Sequence, residues 1–196
     1  MKKVYLFEYK LSIVRFEILV IAILGFTIIA STSSQAFAAV DMFLKIEGVE
    51  GESTDKAHGK EIDVLSWSWG ASQSGSMAMG GGGGAGKVSM QDLTISKYID
   101  KSSPKIFEAL ATGKHLPEIK LVLRSGSSQV EYLTWTLKDV VITNYSTGGN
   151  SGEDRPMESI SFNFAQIKMI YVEQDAKGST GAAVEFGWDI KANKKV

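Results

Sequence analysis

Residues 61–88 read EIDVLSWSWGASQSGSMAMGGGGGAGKV, and the first nine of them decide the fold. Ile62, Val64 or Leu65, Trp67 and Trp69 fall near alternate positions, with Ser66 and Ser68 between them. This period of two marks a strand with one buried face. Trp67 and Trp69 share that face, while Ser66 and Ser68 point the other way, towards solvent, a lumen or a partner. Behind the strand lies a run whose only large apolar residues are Met77 and Met79, with five consecutive glycines, Gly80 to Gly84. Such a run has too little to bury to form a core. It is either a disordered linker or an arm that becomes ordered when another chain receives it.

Gly81 to Lys87 also fits G-x-x-x-x-G-K, but Val88 stands where a phosphate-binding loop needs Ser or Thr to ligate magnesium. The chain then continues as VSMQDLTI, a β-type alternation, where such a loop must open a helix that receives phosphate. Nucleotide binding is set aside.

Working outward, 196 residues with 44% hydrophobic and 22% charged content suit one soluble domain. Without cysteine there is no disulfide framework, thiolate nucleophile or thiolate metal site, and two histidines make a histidine-based metal centre improbable. The net charge of −1 offers no basic face for nucleic acid.

The first 38 residues read separately. A net positive stretch to Glu17 precedes thirteen residues, ILVIAILGFTIIA, without charge, then a polar segment and an A-x-A site at Ala36-Phe37-Ala38. That is the plan of a cleaved secretory signal, with an apolar run too short to span a bilayer comfortably. A signal anchor or an unused upstream start are the alternatives. The division is therefore 1–38 as leader or extension and 39–196 as the domain, with no stable membrane span in the mature form.

Val40 to Val49 reads as a strand, and Gly51 to Lys60 as a polar loop in which His58 is expected to be solvated. Val88 to Tyr98 is a strand that leads to a helix over about Pro104 to Thr112. Its signals are Ser102 or Ser103 as N-cap, Pro104 at the first position, Glu108 in the first turn and Gly113 as the stop. Ile106, Phe107 and Leu110 form its stripe, expected to lie on the core. Glu118 to Arg124 and Gln129 to Asn144 are strands, the latter with a break at Lys138-Asp139 that suggests a bulge or sheet corner. Ser146 to Pro156 is a second glycine-rich loop. Ile160, Phe162 and Phe164 alternate, and after a phase change Ile167, Met169 and Tyr171 continue. A last loop around Gly178 to Gly181 precedes Val184, Phe186, Trp188 and Ile190. Many strands and one helix predict a mainly β fold, an antiparallel barrel or sandwich.

No catalytic constellation assembles. His115 with a serine and an aspartate lacks a nucleophile elbow and reads as a helix-flanking residue. Glu153, Asp154 and Arg155 lack the spaced oxygen ligands of a calcium loop and read as interface or surface charges. Trp67, Trp69, Trp135 and Trp188 lie in alternating strands, where burial is the commoner use; exposed, they would make an exported β-sandwich that binds carbohydrate. Two long glycine-rich loops are costly to order, and their natural use is to be clamped by a neighbour, head to tail, in a closing ring. The residues thus point to a self-assembling β-barrel and not to an enzyme.

VDMFLKIEGVEGES, the 61–88 stretch, LTISKYIDKSSPKIFEALATGKHLPEIKLVLR and STGGNSGEDR followed by ESISFNFAQI together resemble the Hcp proteins (haemolysin co-regulated protein). These form the inner tube of the bacterial type VI secretion system. The resemblance covers about Ala39 to Ile190. It implies a β-barrel with one short helix, homohexameric rings stacked into a tube, and no cofactor. The implied partners are a spike protein at the tip, a contractile sheath that propels the tube, and effectors carried in the lumen, with cytoplasmic assembly before release outside the cell. By position, Gln73 to Gly86 (Gln73, Ser74, Ser76, Met77, Met79, Gly80, Gly84 and Gly86 among them) would be the loop that reaches another subunit. A second contact loop would comprise Gly148, Gly149, Glu153, Asp154 and Arg155. Ser66 and Ser68 would face the lumen and its cargo. Family members begin just before the position of Val40 and lack a general secretion signal, so a working leader would direct this chain to the periplasm by another route.

Overall fold

A computed structural model describes residues 40–73, 87–152, 154–174 and 180–196. The described chain is mainly antiparallel sheet with a single helix. Strands β1 (Val40–Ile46), β2 (Ile62–Asp63) and β3 (Ser66–Ser68) come first. They are followed by β4 (Ala71–Ser72), β5 (Ser89–Met90), β6 (Leu93–Tyr98), the helix α1 (Ser103–Thr112) and β7 (Leu116–Ser125). Two long strands, β8 (Glu131–Gly148) and β9 (Met157–Gln174), then lead to β10 (Thr180–Asp189) and β11 (Lys194–Lys195).

The main sheet runs β11-β10-β9-β8-β7-β1-β2, with β6 on the other half of β9 and β3 on β6. The antiparallel barrel or sandwich expected from the sequence is an open sheet among the described residues. The stretch read as one strand from Glu61 breaks at Val64-Leu65, whose N–H groups donate to Met42 O and Ser96 O respectively. β2 therefore pairs with β1 and β3 with β6, and no continuous ladder joins the two.

The core gathers the inward residues of β1, β2, β6, β7, β8 and β9 with Ile106 and Ala109 of α1. Leu44, Ile62, Ile95, Val140, Ile160 and Phe162 are wholly enclosed. At about 1.5–3 kcal/mol for each such side chain, burial on this scale dominates the stability.

Three strands change phase together. Leu116, Val140 and Phe164 form one buried row across β7, β8 and β9, and Ile119, Leu137 and Ile167 form the next. Between them each strand spends two residues that are not in the core: Pro117-Glu118, Lys138-Asp139 and Ala165-Gln166. Because all three make the same step, the register is unbroken across it, and Asp139 adopts φ 51°. The expected break at Lys138-Asp139 is thus a shared crease and not a bulge. The inserted residue of β8 lies further on, between Ile142 and Asn144.

The helix starts as expected, but Ser102 makes no side-chain cap; its hydroxyl is taken by Asp100. Glu108 lies beyond the first turn and pairs with Lys105 at 2.8 Å. Phe107 is turned off the core, 54% exposed, with its ring 5.5 Å from Tyr145. Gly113 ends the helix at φ 62°, and the Gly113 and Lys114 N–H groups return to Leu110 O and Ala109 O.

His58, expected to be solvated, is buried. Asp55 accepts the N–H groups of Ala57 and His58, which curls the polar loop into a compact turn. The imidazole then stacks on Phe43 at 4.2 Å between ring centroids, with Nδ1 2.9 Å from Glu61 Oε2. Arg124, also buried, donates to Asp55 and Asp41 and lies over the Phe43 ring.

Candidate functional site

β3 places its side chains as the alternation demands. Trp67 pairs with Ile95 of β6 and turns inward, and Ser66 and Ser68 are exposed on the opposite face. Trp67 and Trp69 pack against Trp135, at centroid distances of 5.8 and 5.2 Å. Trp188 also packs on the core, so all four tryptophans contribute to it, Trp135 buried and the other three half-buried, which does not support a carbohydrate platform.

The outward face continues across four strands. Ser66 pairs with Ser96, Ser96 with Ser159, and Ser159 with Ser146. The next row is Ser68, Thr94, Ser161 and Asn144. Side chains directly opposite in an antiparallel sheet share a face, so these eight positions form two parallel rows of uncharged polar groups. The Thr94 and Ser161 hydroxyls bond one another at 2.9 Å. A shallow concavity of about 290 Å³ opens where the first row reaches Ser96, Ser146 and Ser159, bordered by Thr147, Gly148 and Met157. Sequence reading found Ser66 and Ser68 but not their partners, because those come from strands distant in the chain.

Behind the rows, on the inner face of the same strands, two charges are enclosed. Lys97 Nζ donates to Glu158 Oε1, Asp100 Oδ1 and the Tyr98 carbonyl, each at 2.8 Å. Glu158 also accepts from Ser103 at 2.9 Å and from Tyr145 at 2.6 Å. Burial, followed by the bond to Glu158, pushes the Tyr145 phenol up to about 12. Lys97 holds the Asp100 carboxyl below its usual value despite partial burial. The cluster fastens the start of α1 to β6 and β9, and every charge in it has a partner.

Of the arm, only the base and Gln73 are described: Ala71 pairs with Met90 and Ser72 with Ser89, and Gln73 is exposed. Ser74, Ser76, Met77, Met79, Gly80, Gly84 and Gly86 lie outside the described residues, as do residues 1–39. In the second loop the boundary moves, because β8 runs through Ser146 and Thr147 to Gly148. Gly149 lies against Pro156, and Glu153 is outside the described residues. Asp154 and Arg155 border a cavity of about 380 Å³ with Tyr98 and Met157, and Arg155 lies 5.2 Å from the Tyr98 ring centre.

The sheet also has an unfinished end. On its inner face Leu137, Ile167 and Trp188 align, then Trp135, Met169 and Phe186, then Leu133, Tyr171 and Val184. Leu137 and Ile167 are buried, but Tyr171 is 45%, Phe186 49% and Val184 67% exposed. The clean alternation of β10 therefore does not signal burial within one chain. It continues the core face beyond what the described residues cover.

His115 is exposed and meets Asp139 at 2.9 Å with no nucleophile attached. No group of three or more His, Asp or Glu among the described residues is placed to hold a metal, and no described helix is long and apolar enough to cross a membrane.

Comparison with known proteins gives one consistent result. Residues 43–171 match the family model described as type VI secretion system effector, Hcp. The chain is 58% identical to protein hcp1 of Pseudomonas aeruginosa over 158 residues, covering 79% of this chain and 98% of that protein. A solved structure of a type six secretion system protein superposes with TM-score 0.77 at 33% identity, over 81% of this chain and all of that one. Hcp1 from Salmonella typhimurium gives 0.68 at 39% identity, over 81% and 99%.

Proposed function

The chain belongs to the Hcp family of type VI secretion system tube and effector proteins, and on that premise we propose that its copies join in hexameric rings. The rings stack as the inner tube, carry effectors in the lumen, meet a spike protein at the tip, and leave the cell when the surrounding sheath contracts. The protein acts as a structural carrier and not as an enzyme. The observation that carries this reading is the uncovered inner face at Tyr171, Val184 and Phe186, whose apolar side chains extend a core that one copy leaves unfinished. A neighbouring copy completes it. The arm after Gln73 and the loop carrying Gly148, Gly149, Asp154 and Arg155 add further subunit contacts, and Ser66 and Ser68 face the lumen.

The leader is part of the same proposal. Residues 1–38 either direct the chain to the periplasm and are removed, or are absent from the chain that enters the tube. Native mass spectrometry of the protein made by its own cell and collected from the medium tests both points. Rings of six chains beginning near Ala39 are expected, and Val184→Glu with Phe186→Glu should yield folded monomers. Monomers of the unaltered protein would overturn the ring.

A further inference from the structure

The outward face of β3, β6, β9 and β8 has a chemical character that its place in a tube wall does not by itself require. Seven of the eight side chains in its two rows are hydroxyls and the eighth is the Asn144 amide. The charge pair that β6 and β9 carry beside these rows is turned away. Lys97 and Glu158 neutralise each other on the inner face. Asp92, next on this face beyond Thr94, keeps its charge, with its carboxylate oxygens accepting from Thr143 and Asn163.

We infer that the two rows form a recognition face blind to charge, which takes uncharged polar polypeptide and rejects strongly charged segments of either sign. A hydroxyl both donates and accepts, so the rows satisfy amide and hydroxyl groups in many orientations. Strands about 4.8 Å apart repeat those groups at a spacing that an extended peptide can follow. A charged side chain laid over the two rows loses hydration and meets no countercharge within them, whereas a neutral polar one exchanges water for hydroxyl partners. The shallow concavity at Ser96, Ser146 and Ser159 is the point of closest approach. This inference rests on the reading that the Ser66 side of β3 faces cargo, and adds what class of cargo surface it accepts.

The test uses the full chain and three labelled peptides of about 20 residues: one of Ser, Asn, Gln and Gly only, one with Glu at every third position, and one with Lys there. Binding is read by fluorescence anisotropy at about 50 and about 500 mM salt, a range over which an ion pair at an exposed site is largely screened. The neutral peptide is expected to bind with an affinity that changes less than about twofold with salt, and the charged peptides at least about tenfold more weakly. Ser159→Asp, at the centre of the first row, should weaken the neutral peptide about tenfold and create salt-sensitive binding of the lysine peptide. Ser96→Ala with Ser159→Ala should lower neutral binding while circular dichroism stays unchanged. Absence of binding, equal binding of all three peptides, or indifference to Ser159→Asp would overturn the inference. So would neutral binding that falls as protein concentration rises, which would mean that a second copy occupies the rows. Native mass spectrometry of the same samples keeps the two proposals apart: monomers that still select the neutral peptide sink the ring alone, and rings without selectivity sink the charge-blind face alone.

Discussion

Lys97 Nζ lies 2.8 Å from Glu158 Oε1, and neither side chain exposes any surface to solvent. The pair joins β6 to β9 at the row where Lys97 faces Glu158, directly beneath Ser96 and Ser159. Removing one partner leaves an uncompensated enclosed charge. Lys97→Met should therefore cost about 3–5 kcal/mol in urea unfolding. Adding Glu158→Leu should restore part of that loss, and only part, because Ser103 and Tyr145 then lose their acceptor. A single-variant cost under about 1 kcal/mol would mean that the pair is far less enclosed than its geometry shows.

Tyr145 gives the alkaline limit of the fold. Its phenol is raised to about 12 by burial and by Glu158, against about 10 in an unfolded chain. The folded state thus holds the phenolic proton more tightly. The stability this contributes is complete below about pH 10 and is lost as pH rises from there to about 12. Ultraviolet titration should show Tyr145 ionising late beside Tyr132, whose phenol burial also raises, and Tyr145→Phe should remove only its own share of the late step. An unchanged titration curve in that variant would assign the late proton elsewhere.

Asp55 gives the acid limit. Its bond to Arg124 holds the carboxyl well below the usual carboxylate range, so the associated stability is present above about pH 4 and is lost on further acidification. Asp55→Asn should destabilise the protein at pH 7 and bring its stability closer to that of the unaltered protein near pH 2. A pH-independent difference would show that the turn at Ala57 and His58 is what matters and not the charge.

Trp135 is the centre on which Trp67 and Trp69 pack. Trp135→Ala should cost about 3–5 kcal/mol. Emission of the unaltered protein should be blue-shifted and weakly quenched by iodide. Strong quenching, or quenching by added sugars, would contradict core placement.

Gly51 lies where the compact loop closes on itself, and a Cβ there would stand 2.2 Å from the Glu61 carbonyl oxygen. Gly51→Ala should cost about 1–3 kcal/mol through forced backbone shifts. Loss of His58 protection, followed by its ring protons in NMR, should accompany that cost. Full stability would mean that the loop has room the structure does not show.

What was legible in the sequence follows from which forces are local. Alternation gave the strands, the inward tryptophans and the outward Ser66 and Ser68, and Pro104 with Gly113 bracketed the helix to within one residue. Lys138-Asp139 and the step after Phe164 were visible as separate irregularities. That they are one crease, shared with Pro117, depends on registers between strands far apart in the chain. The burial of His58, Lys97 and Glu158 was hidden for the same reason, since a charged or polar residue is placed inside by partners that only the fold supplies. Periodicity in β10 marked an apolar face correctly but could not say that no described residue covers it.

The crease at Pro117, Asp139 and Ala165 limits how the protein can change its length. A residue gained or lost at the crease in a single strand, unless a bulge absorbs it as one does beyond Ile142, would leave that strand's apolar side chains facing water while its neighbours still faced inward. Insertions at the crease itself keep the inward face when they are matched in all three strands at once. Fusions and tags belong at the hairpin tips, and the centre of β7, β8 and β9 behaves as one indivisible unit of inheritance.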